Sequence, residues 1–332
     1  MDKPAGNPIL GFPTGKHLTG ESPTGESPAL SVTIAGVRLR NPVIAASGTF
    51  GYGREYAGII DVSRLGGICT KGLTLNPRPG NSGIRVWETP AGLLNSIGLE
   101  NPGIPAFIEK ELPYMRELGP AVIANLSGST VEEYTEGAAL LDASPVDMVE
   151  LNISCPNVKA GGMAFGLDPE MAALVVGRVR QALRNKPLMV KLSPNAGDLL
   201  AVARACVRAG ADALSLVNTF KAMAIDIRNR RPVFDNVSAG LSGPAIKPIA
   251  LRMVWELCEG LDPRVPVVGL GGIAHADDAL EFLMAGASAV QVGSATFAHP
   301  PAMIEIIEGI GAYMRENRVV ALGDISLRGR ST

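Results

Sequence analysis

The sequence is poor in the residues that build metal sites and disulfides. Its 332 residues include four cysteines and three histidines. The cysteines (Cys69, Cys155, Cys206 and Cys258) show no CxxC spacing, so no local motif predicts a zinc or iron–sulfur site. In a reducing compartment four scattered cysteines are most simply free thiols. We therefore expect no metal ligand set in this chain.

Strong net charge and long apolar runs are also missing. The formal net charge is −2 and the pI is about 6.0, which gives no support to nucleic-acid or acidic-membrane binding. No apolar run approaches the roughly 18 residues that cross a bilayer. The N-terminal stretch has neither the basic nor the apolar region of a secretory signal. These absences predict a cytoplasmic protein.

Residues 1–28 lack the apolar residues needed for a core. They are rich in Pro and Gly and contain the tandem repeat Thr19–Pro23, Thr24–Pro28. Such a segment cannot bury enough apolar surface to offset its ordering entropy. We predict a disordered leader over residues 1–28 and one domain over residues 29–332.

Short apolar runs alternate with helical patterns in the rest of the chain. Leu30–Arg40 alternates around Gly36 and predicts a β-hairpin. The later runs are too continuous for half-exposed strands and favour parallel strands covered on both faces. The eight runs are Val43–Ser47, Gly67–Lys71, Val122–Ser127, Met148–Ser154, Leu188–Ser193, Ala213–Asn218, Val265–Leu270 and Ala289–Val292.

Amphipathic segments separate these runs, with apolar residues three to four positions apart. They are Pro105–Leu118, Val131–Leu141, Pro169–Arg184, Leu199–Ala209, Ala245–Glu259 and Asp277–Ala285. Helix starts are marked at Ser129-Thr130, Asp168-Pro169 and Ser242–Pro244, and helix stops at Gly210 and Gly286. The pattern predicts a (β/α)8 TIM barrel with the hairpin at its bottom. A doubly wound open sheet is the alternative.

In such a barrel the chemistry lies where strands end. Gly271-Gly272 and Gly293-Ser294 come after the seventh and eighth strands, the usual phosphate position, although glycines there can also simply turn the chain. Lys191 lies within an apolar strand and Lys71 near a strand end. A buried lysine is costly unless it meets an anion, and the alternative is a lysine that reaches water.

Three amides and one thiol complete the predicted site. Asn125, Asn152 and Asn218 end three different strands and suit a planar heterocycle, although each could be a satisfied core amide. Cys155 precedes Pro156 and a Gly-rich segment that could fold over it. No obvious histidine partner exists, which argues against a protease-like nucleophile and favours a thiolate general base. A buried small side chain is the ordinary alternative.

This combination resembles class 1 dihydroorotate dehydrogenases, which are FMN-binding barrels. The matching stretches are Ala46–Gly51, Lys71-Gly72, Asn95–Leu99, Asn125, Leu151–Asn157, Val190–Pro194, Val217–Thr219, Gly240–Pro244, Gly269–Gly272 and Val292–Ser294. A cysteine at the position of the base, here Cys155, resembles class 1, whereas the membrane-associated class 2 uses serine there. Gly51–Tyr56 and Gly240–Pro248 resemble class 1B. The leader is not part of the family pattern.

The resemblance implies roles for individual residues. Cys155 would take the C5 proton of dihydroorotate while C6 gives a hydride to the flavin, and Lys191 would offset the charge that grows on the flavin. One FMN per chain would be held by Ser47, Lys71, Gly72, Asn125, Asn152, Lys191, Val217, Gly243, Gly271, Gly272, Gly293 and Ser294. Orotate or dihydroorotate would contact Lys71, Asn95, Ser96, Ile97, Gly98, Leu99, Asn152, Asn218 and Thr219.

Class 1B resemblance also implies a partner. Its enzymes pass electrons to NAD+ through a second subunit that carries FAD and a 2Fe–2S cluster, and two copies of each subunit would form a heterotetramer. The alternatives are a homodimeric, fumarate-linked class 1A enzyme, a flavin barrel that reduces another pyrimidine, and a non-catalytic barrel that binds a phosphate ligand. The function expected from the resemblance is dihydroorotate oxidation in pyrimidine biosynthesis.

Overall fold

A closed barrel is the centre of the molecule. The computed structural model describes residues 29–153 and 165–328. Each barrel strand pairs in parallel with the next along the chain, and the eighth pairs with the first. The strands are Val43–Ala45, Gly67–Cys69, Ala121–Leu126, Met148–Asn152, Leu188–Lys191, Ala213–Leu216, Val267–Leu270 and Ala289–Val292. The predicted (β/α)8 barrel is confirmed, and the open-sheet alternative is wrong.

Helices cover the outside of the barrel. The α-helices are Ile104–Ala106, Leu112–Leu118, Val131–Asp142, Pro169–Ala182, Leu199–Arg208, Lys247–Gly260, Ala276–Met284, Ala295–Ala298 and Ala302–Glu316. A π-helical segment, Phe107–Glu111, joins the first two, and 3-10 turns span Val62–Arg64, Pro244–Ile246 and Leu322–Ile325. All six predicted helices form. Among the described residues, no helix combines the length and apolar composition needed to cross a membrane.

The helix boundaries agree with the signals in the sequence. The Thr130 hydroxyl accepts a hydrogen bond from the Glu133 amide at 3.2 Å. The Asp168 carboxylate accepts from the amides of Glu170 and Met171, both at 3.0 Å. These contacts satisfy amide groups that a first helical turn leaves unpaired. The predicted helix starts at Thr130 and Asp168 are confirmed.

A hairpin closes the end of the barrel at which the strands begin. Val32–Ile34 pairs antiparallel with Val37–Leu39, and the side chains of Ile34 and Leu39 are buried. They pack on the lowest inward-facing layer of the barrel, which consists of Ile44, Cys69, Ile123, Met148, Met189, Ala213, Val268 and Ala289. The predicted position of the hairpin is confirmed.

A second sheet was not predicted from the sequence. Four antiparallel strands lie in the order Phe220–Ala222, Ala239–Ser242, Gly92–Asn95 and Val86–Thr89. A small ribbon, Ile225–Asp226 with Arg231–Pro232, adjoins them in sequence. Leu94, Val233, Phe234 and Ala239 form their own apolar cluster. We call this four-stranded sheet the roof sheet, because its strands line a cavity at the end of the barrel where the barrel strands stop.

Candidate active site

The cavity at the strand ends has a volume of about 420 Å³. This volume is within the range of small-molecule sites, about 300–1,000 Å³. Every predicted site residue within the described part of the chain lines it: Ser47, Lys71, Gly72, Asn95, Ser96, Ile97, Gly98, Leu99, Asn125, Asn152, Lys191, Val217, Asn218, Thr219, Gly243, Gly271, Gly272, Gly293 and Ser294. Cys155, the predicted base, lies outside the described residues.

Lys191 contributes a buried cation to the cavity. It ends the fifth barrel strand, and its side chain is 4% exposed. Its Nζ donates to the Ser47 hydroxyl at 3.1 Å and lies 3.9 Å from a Glu150 carboxylate oxygen. The lysine therefore meets an anion inside the barrel and does not extend into water.

Glu150 is the buried anion, and its role was not predicted from the sequence. Its side chain is fully buried in the fourth barrel strand. Burial by itself raises the pKa of Glu150. Lys191 and hydrogen bonds from Cys69, Ser215 and Gln291 oppose that effect, and the net pKa is lower than usual. The residue is therefore an ionised carboxylate at neutral pH.

The three predicted amides meet at the cavity, but they are not equivalent. Asn125 donates through Nδ2 to Glu150 at 2.6 Å. Asn218 donates through Nδ2 to the Asn152 side-chain oxygen at 3.3 Å, and its own oxygen accepts from the Thr219 amide at 2.8 Å. The Tyr134 hydroxyl donates to the main-chain carbonyl oxygen of Asn152 at 2.8 Å. Asn125 therefore belongs to the cavity floor, whereas Asn152 and Asn218 form a linked pair.

The roof sheet holds the predicted substrate loop over the barrel. Gly240 pairs with Asn95, and Asn95 Nδ2 donates to the Gly240 carbonyl at 3.2 Å. Asn81 Nδ2 donates to the Ser96 carbonyl at 3.0 Å. Leu99, which ends the loop, has a positive φ of 56°, a conformation that costs a non-glycine residue energy. Several contacts thus position the segment from Asn95 to Leu99 against the cavity.

The pairs Gly271-Gly272 and Gly293-Ser294 differ in whether the local backbone requires glycine. Gly271 and Gly272 have φ values of +129° and +74°. A Cβ on Gly272 would lie 2.8 Å from the Gly243 carbonyl oxygen and from the Lys247 amide nitrogen. By contrast, a Cβ on Gly293 would meet nothing closer than 3.6 Å. Backbone geometry therefore accounts for glycine at positions 271 and 272, whereas no steric requirement applies at Gly293.

Comparison with known proteins identifies the family. A family model described as "Dihydroorotate dehydrogenase" matches residues 29–314. The chain belongs to the dihydroorotate dehydrogenase family. This membership agrees with the barrel and with the position of the lined cavity.

Many curated members of the dihydroorotate dehydrogenase family are similar over nearly their full length. One from Petrotoga mobilis is 56% identical over 294 residues, covering 89% of this chain and 97% of its own. One from Geotalea uraniireducens is 54% identical over 299 residues, covering 90% and 97%. One from Thermoanaerobacter pseudethanolicus is 53% identical over 296 residues, covering 89% and 97%. Each is named "Dihydroorotate dehydrogenase B (NAD(+)), catalytic subunit".

In this dihydroorotate dehydrogenase family member, the cavity also contains residues that were not predicted from the sequence. Gln291 in the eighth strand donates to Glu150 at 2.7 Å, and Arg78, Asn195 and Lys221 line the wall. Asn195 could have been found, because it is the next residue after the predicted Val190–Pro194 motif. For Gln291 the signal was weaker, since one amide in an apolar strand is not distinctive.

The remaining cysteines are buried. Cys206 and Cys258 lie in helices, and burial raises the pKa of their thiols to about 12 and about 11. Burial also raises the pKa of Cys69, whose thiol hydrogen-bonds Glu150 at 3.1 Å. Cys69 lies in the second barrel strand, and its thiol donates to the buried carboxylate. No cluster of three or more metal-ligating side chains occurs within residues 29–153 and 165–328.

Proposed function

We propose that this chain oxidises dihydroorotate to orotate in pyrimidine biosynthesis, as the catalytic subunit of a class 1B enzyme linked to NAD+. The observation that carries the proposal is the meeting of two lysines and three amides in one cavity, each located at or within two residues of the end of a different barrel strand. Relatives at 53–56% identity whose names state this activity support it.

The residues of the cavity fit an FMN. A planar ring with alternating donors and acceptors suits the amide-rich floor. The buried Gln291 Oε1 atom has no hydrogen-bond partner among the described residues, so it can accept from a bound ring. When bound, FMN supplies the hydride acceptor. The proposed holding residues are Ser47, Lys71, Gly72, Asn125, Asn152, Lys191, Val217, Gly243, Gly271, Gly272, Gly293 and Ser294.

The substrate would lie between the floor and the roof sheet. The Lys71 ammonium would attract the carboxylate of dihydroorotate, and the amides of Asn152 and Asn218 would orient its pyrimidine ring. The roof sheet would exclude water from that face. The proposed contact residues are Lys71, Asn95, Ser96, Ile97, Gly98, Leu99, Asn152, Asn218 and Thr219.

Cys155 is the proposed general base. Oxidation of the substrate requires a proton to leave C5 and a hydride to leave C6, so that a carbon–carbon double bond forms. The Cys155 thiolate would accept the C5 proton at Sγ and become a thiol. Support comes from the sequence, in which Cys155 stands three residues after Asn152, a residue that lines the cavity.

Electrons would leave through a partner subunit. We propose that this partner carries FAD and a 2Fe–2S cluster and that two copies of each chain form a heterotetramer. The phrase "catalytic subunit" in the relatives' names supports a partner. The scattered cysteines of this chain support a relay located elsewhere. The proposed compartment is the cytoplasm.

One experiment tests both halves of the proposal. The purified chain, loaded with FMN, is mixed anaerobically with dihydroorotate, and bleaching of the flavin is expected. The reduced protein is then divided between NAD+ with the partner subunit and fumarate alone. Rapid reoxidation only in the first mixture is expected. Reoxidation by fumarate with a lone homodimer would favour class 1A, and absence of bleaching would reject dihydroorotate as substrate.

A further inference from the structure

Glu150 is the centre of a hydrogen-bond network inside the barrel. Its carboxylate accepts from Asn125 Nδ2 at 2.6 Å, Ser215 Oγ at 2.7 Å, Gln291 Nε2 at 2.7 Å and Cys69 Sγ at 3.1 Å. These donors belong to the third, sixth, eighth and second barrel strands. One anion therefore connects side chains from four strands besides its own.

An ionised carboxylate in this position is not needed to fill space. The inward-facing layer below it is mostly apolar, and Met148 occupies the corresponding position in the same strand. Burying a carboxylate is costly, and replacing buried ionic groups by apolar ones often leaves stability unchanged or improved. The network compensates that cost, but it does not explain why a charge is present.

Position relative to the cavity indicates what the charge does. Asn125, Lys191 and Gln291 line the cavity, whereas Glu150 does not. An ionised carboxylate only accepts hydrogen bonds, so each amide must direct its NH2 group to Glu150. The carbonyl oxygen of each amide is then the atom left for other partners, and that of Asn125 accepts from Ser127 Oγ at 3.4 Å. For Gln291 this oxygen is buried and has no partner in the described part of the chain.

The Glu150 carboxylate also partly neutralises the positive charge of Lys191. Lys191 Nζ lies 3.9 Å from Glu150 Oε2 and borders the cavity. At such a distance inside a protein, two opposite charges interact strongly. A ligand above Lys191 therefore meets an ammonium that is partly compensated from below.

We propose that Glu150 is a positioning residue that fixes the hydrogen-bonding pattern of the cavity floor and moderates the charge that Lys191 presents to the flavin. It acts through Asn125, Gln291 and Lys191, without contact with the ligand. The proposal rests on the proposed function in one respect, which is that the ligand above the floor is a flavin.

The test is the isosteric Glu150→Gln substitution in the full-length chain. A neutral amide can donate as well as accept, so the amides of Asn125 and Gln291 lose their fixed orientation, and FMN binding to the apoprotein should weaken at least tenfold. Loss of the negative charge should favour the reduced, more anionic flavin. The expected rise in midpoint potential corresponds to a tenfold or larger change in equilibrium constant, about 30 mV for two electrons.

Ser215→Ala is the matched control, because Ser215 also donates to Glu150 but does not line the cavity. It leaves the charge in place and should leave the flavin potential unchanged. A purely structural role predicts that both variants lower the melting temperature of the apoprotein and that neither alters the potential. That result, with wild-type FMN affinity in Glu150→Gln, would overturn the proposal.

Gln291→Met provides a second route if Glu150→Gln does not fold. It removes the amide that Glu150 orients, so FMN affinity should fall, and an unchanged affinity would overturn the proposal. If both single variants fold, the double variant should lose less affinity than the sum of the two. A wild-type chain that binds no FMN would reject the proposed function itself, and that outcome is distinct from both of these.

Discussion

Few side chains supply the positive charge of the cavity and the base that the reaction needs. The described cavity contains Lys71, Lys191 and three amides, each at or within two residues of the end of a different barrel strand, as predicted from the sequence. Amides and ammonium groups can bind and orient a substrate, whereas removal of a carbon-bound proton needs a base. Cys155 remains the predicted base, and its role is open to direct test.

Replacing Cys155 by Ala should slow anaerobic flavin reduction by dihydroorotate about 10²–10⁴-fold, the range typical of loss of a general base. In the unmodified chain the rate should rise from neutral to alkaline pH, because a thiol has a reference pKa near 8.5. Stopped-flow absorbance of the flavin measures both. Cys206→Ala is the control, since Cys206 is buried in a helix away from the cavity lining. Near-normal reduction by the Cys155 variant would exclude it as the base.

The lowered pKa of Glu150 predicts that the free energy of unfolding falls at acid pH. Because the folded protein lowers the pKa of Glu150, the unfolded chain binds its proton more readily. The resulting stabilisation is fully present above the unfolded pKa, near 4.3, and is lost as pH falls through the lower folded value. Urea unfolding of the apoprotein from pH 7 to pH 3 should show a smaller acid loss in Glu150→Gln than in the wild type. Identical pH profiles would contradict this assignment.

Among the secondary-structure elements, the N-terminal hairpin is part of the hydrophobic core and closes one end of the barrel. Leu39 is 1% exposed and packs on the lowest layer of the barrel, whereas Arg38, on the opposite face of the same strand, is exposed. The alternation along Val37–Leu39 therefore separates a buried face from a wet one. This arrangement predicts unequal effects of neighbouring substitutions.

Leu39→Ala should lower the free energy of unfolding by about 2–5 kcal/mol, because it removes buried methyl groups and leaves a cavity. Arg38→Ala should change it by no more than about 0.5 kcal/mol, as is usual for an exposed side chain. Equilibrium urea denaturation of both variants measures the difference. Equal, small effects would show that the hairpin does not support the barrel.

The loop after the seventh strand requires glycine at the cavity, because its backbone has a positive φ and close neighbours. Gly272→Ala places a Cβ 2.8 Å from the Gly243 carbonyl at a φ of +74°, so we expect a loss of about 1–3 kcal/mol and weaker FMN retention. Gly177→Ala is the control, because a Cβ there meets nothing within 4 Å and the residue lies in a helix. It should be neutral or slightly stabilising. Thermal melting and FMN titration measure the two effects, and full FMN affinity in Gly272→Ala would contradict the role of this turn.

In the molecule as a whole, the barrel, the hairpin and the roof sheet have different structural roles. The barrel brings strand ends together at one rim, the hairpin closes the opposite end, and the roof sheet forms the outer wall of the cavity. The described chain begins at Ala29, which forms a bridge with Ala321. We propose that residues 29–332 form the catalytic domain.

Removal of residues 1–28 should therefore leave the melting temperature, FMN content and rate of flavin reduction unchanged. The physical reason is that this segment contains too few apolar residues to contribute to a core. Differential scanning calorimetry and single-turnover flavin reduction of the shortened chain test this. A clear loss of FMN or a lower melting temperature would assign the leader a structural role.

The order of strands and helices was determined by the sequence alone. Continuous apolar runs, helical periodicity and capping residues such as Thr130 and Asp168 act over a few positions, so they can be read locally. The barrel in turn predicted which side chains meet, and the described amides and lysines do line one cavity.

Only the tertiary structure revealed the network around Glu150 and the roof sheet. The donors to Glu150 lie 25 to 141 positions away in the chain, and Gly240 pairs with Asn95 across a similar separation. One carboxylate in an apolar strand has no local pattern that distinguishes it from an exposed residue of an edge strand. Its meaning depends on which side chains the closed barrel brings within hydrogen-bonding distance, and that is a property of the fold.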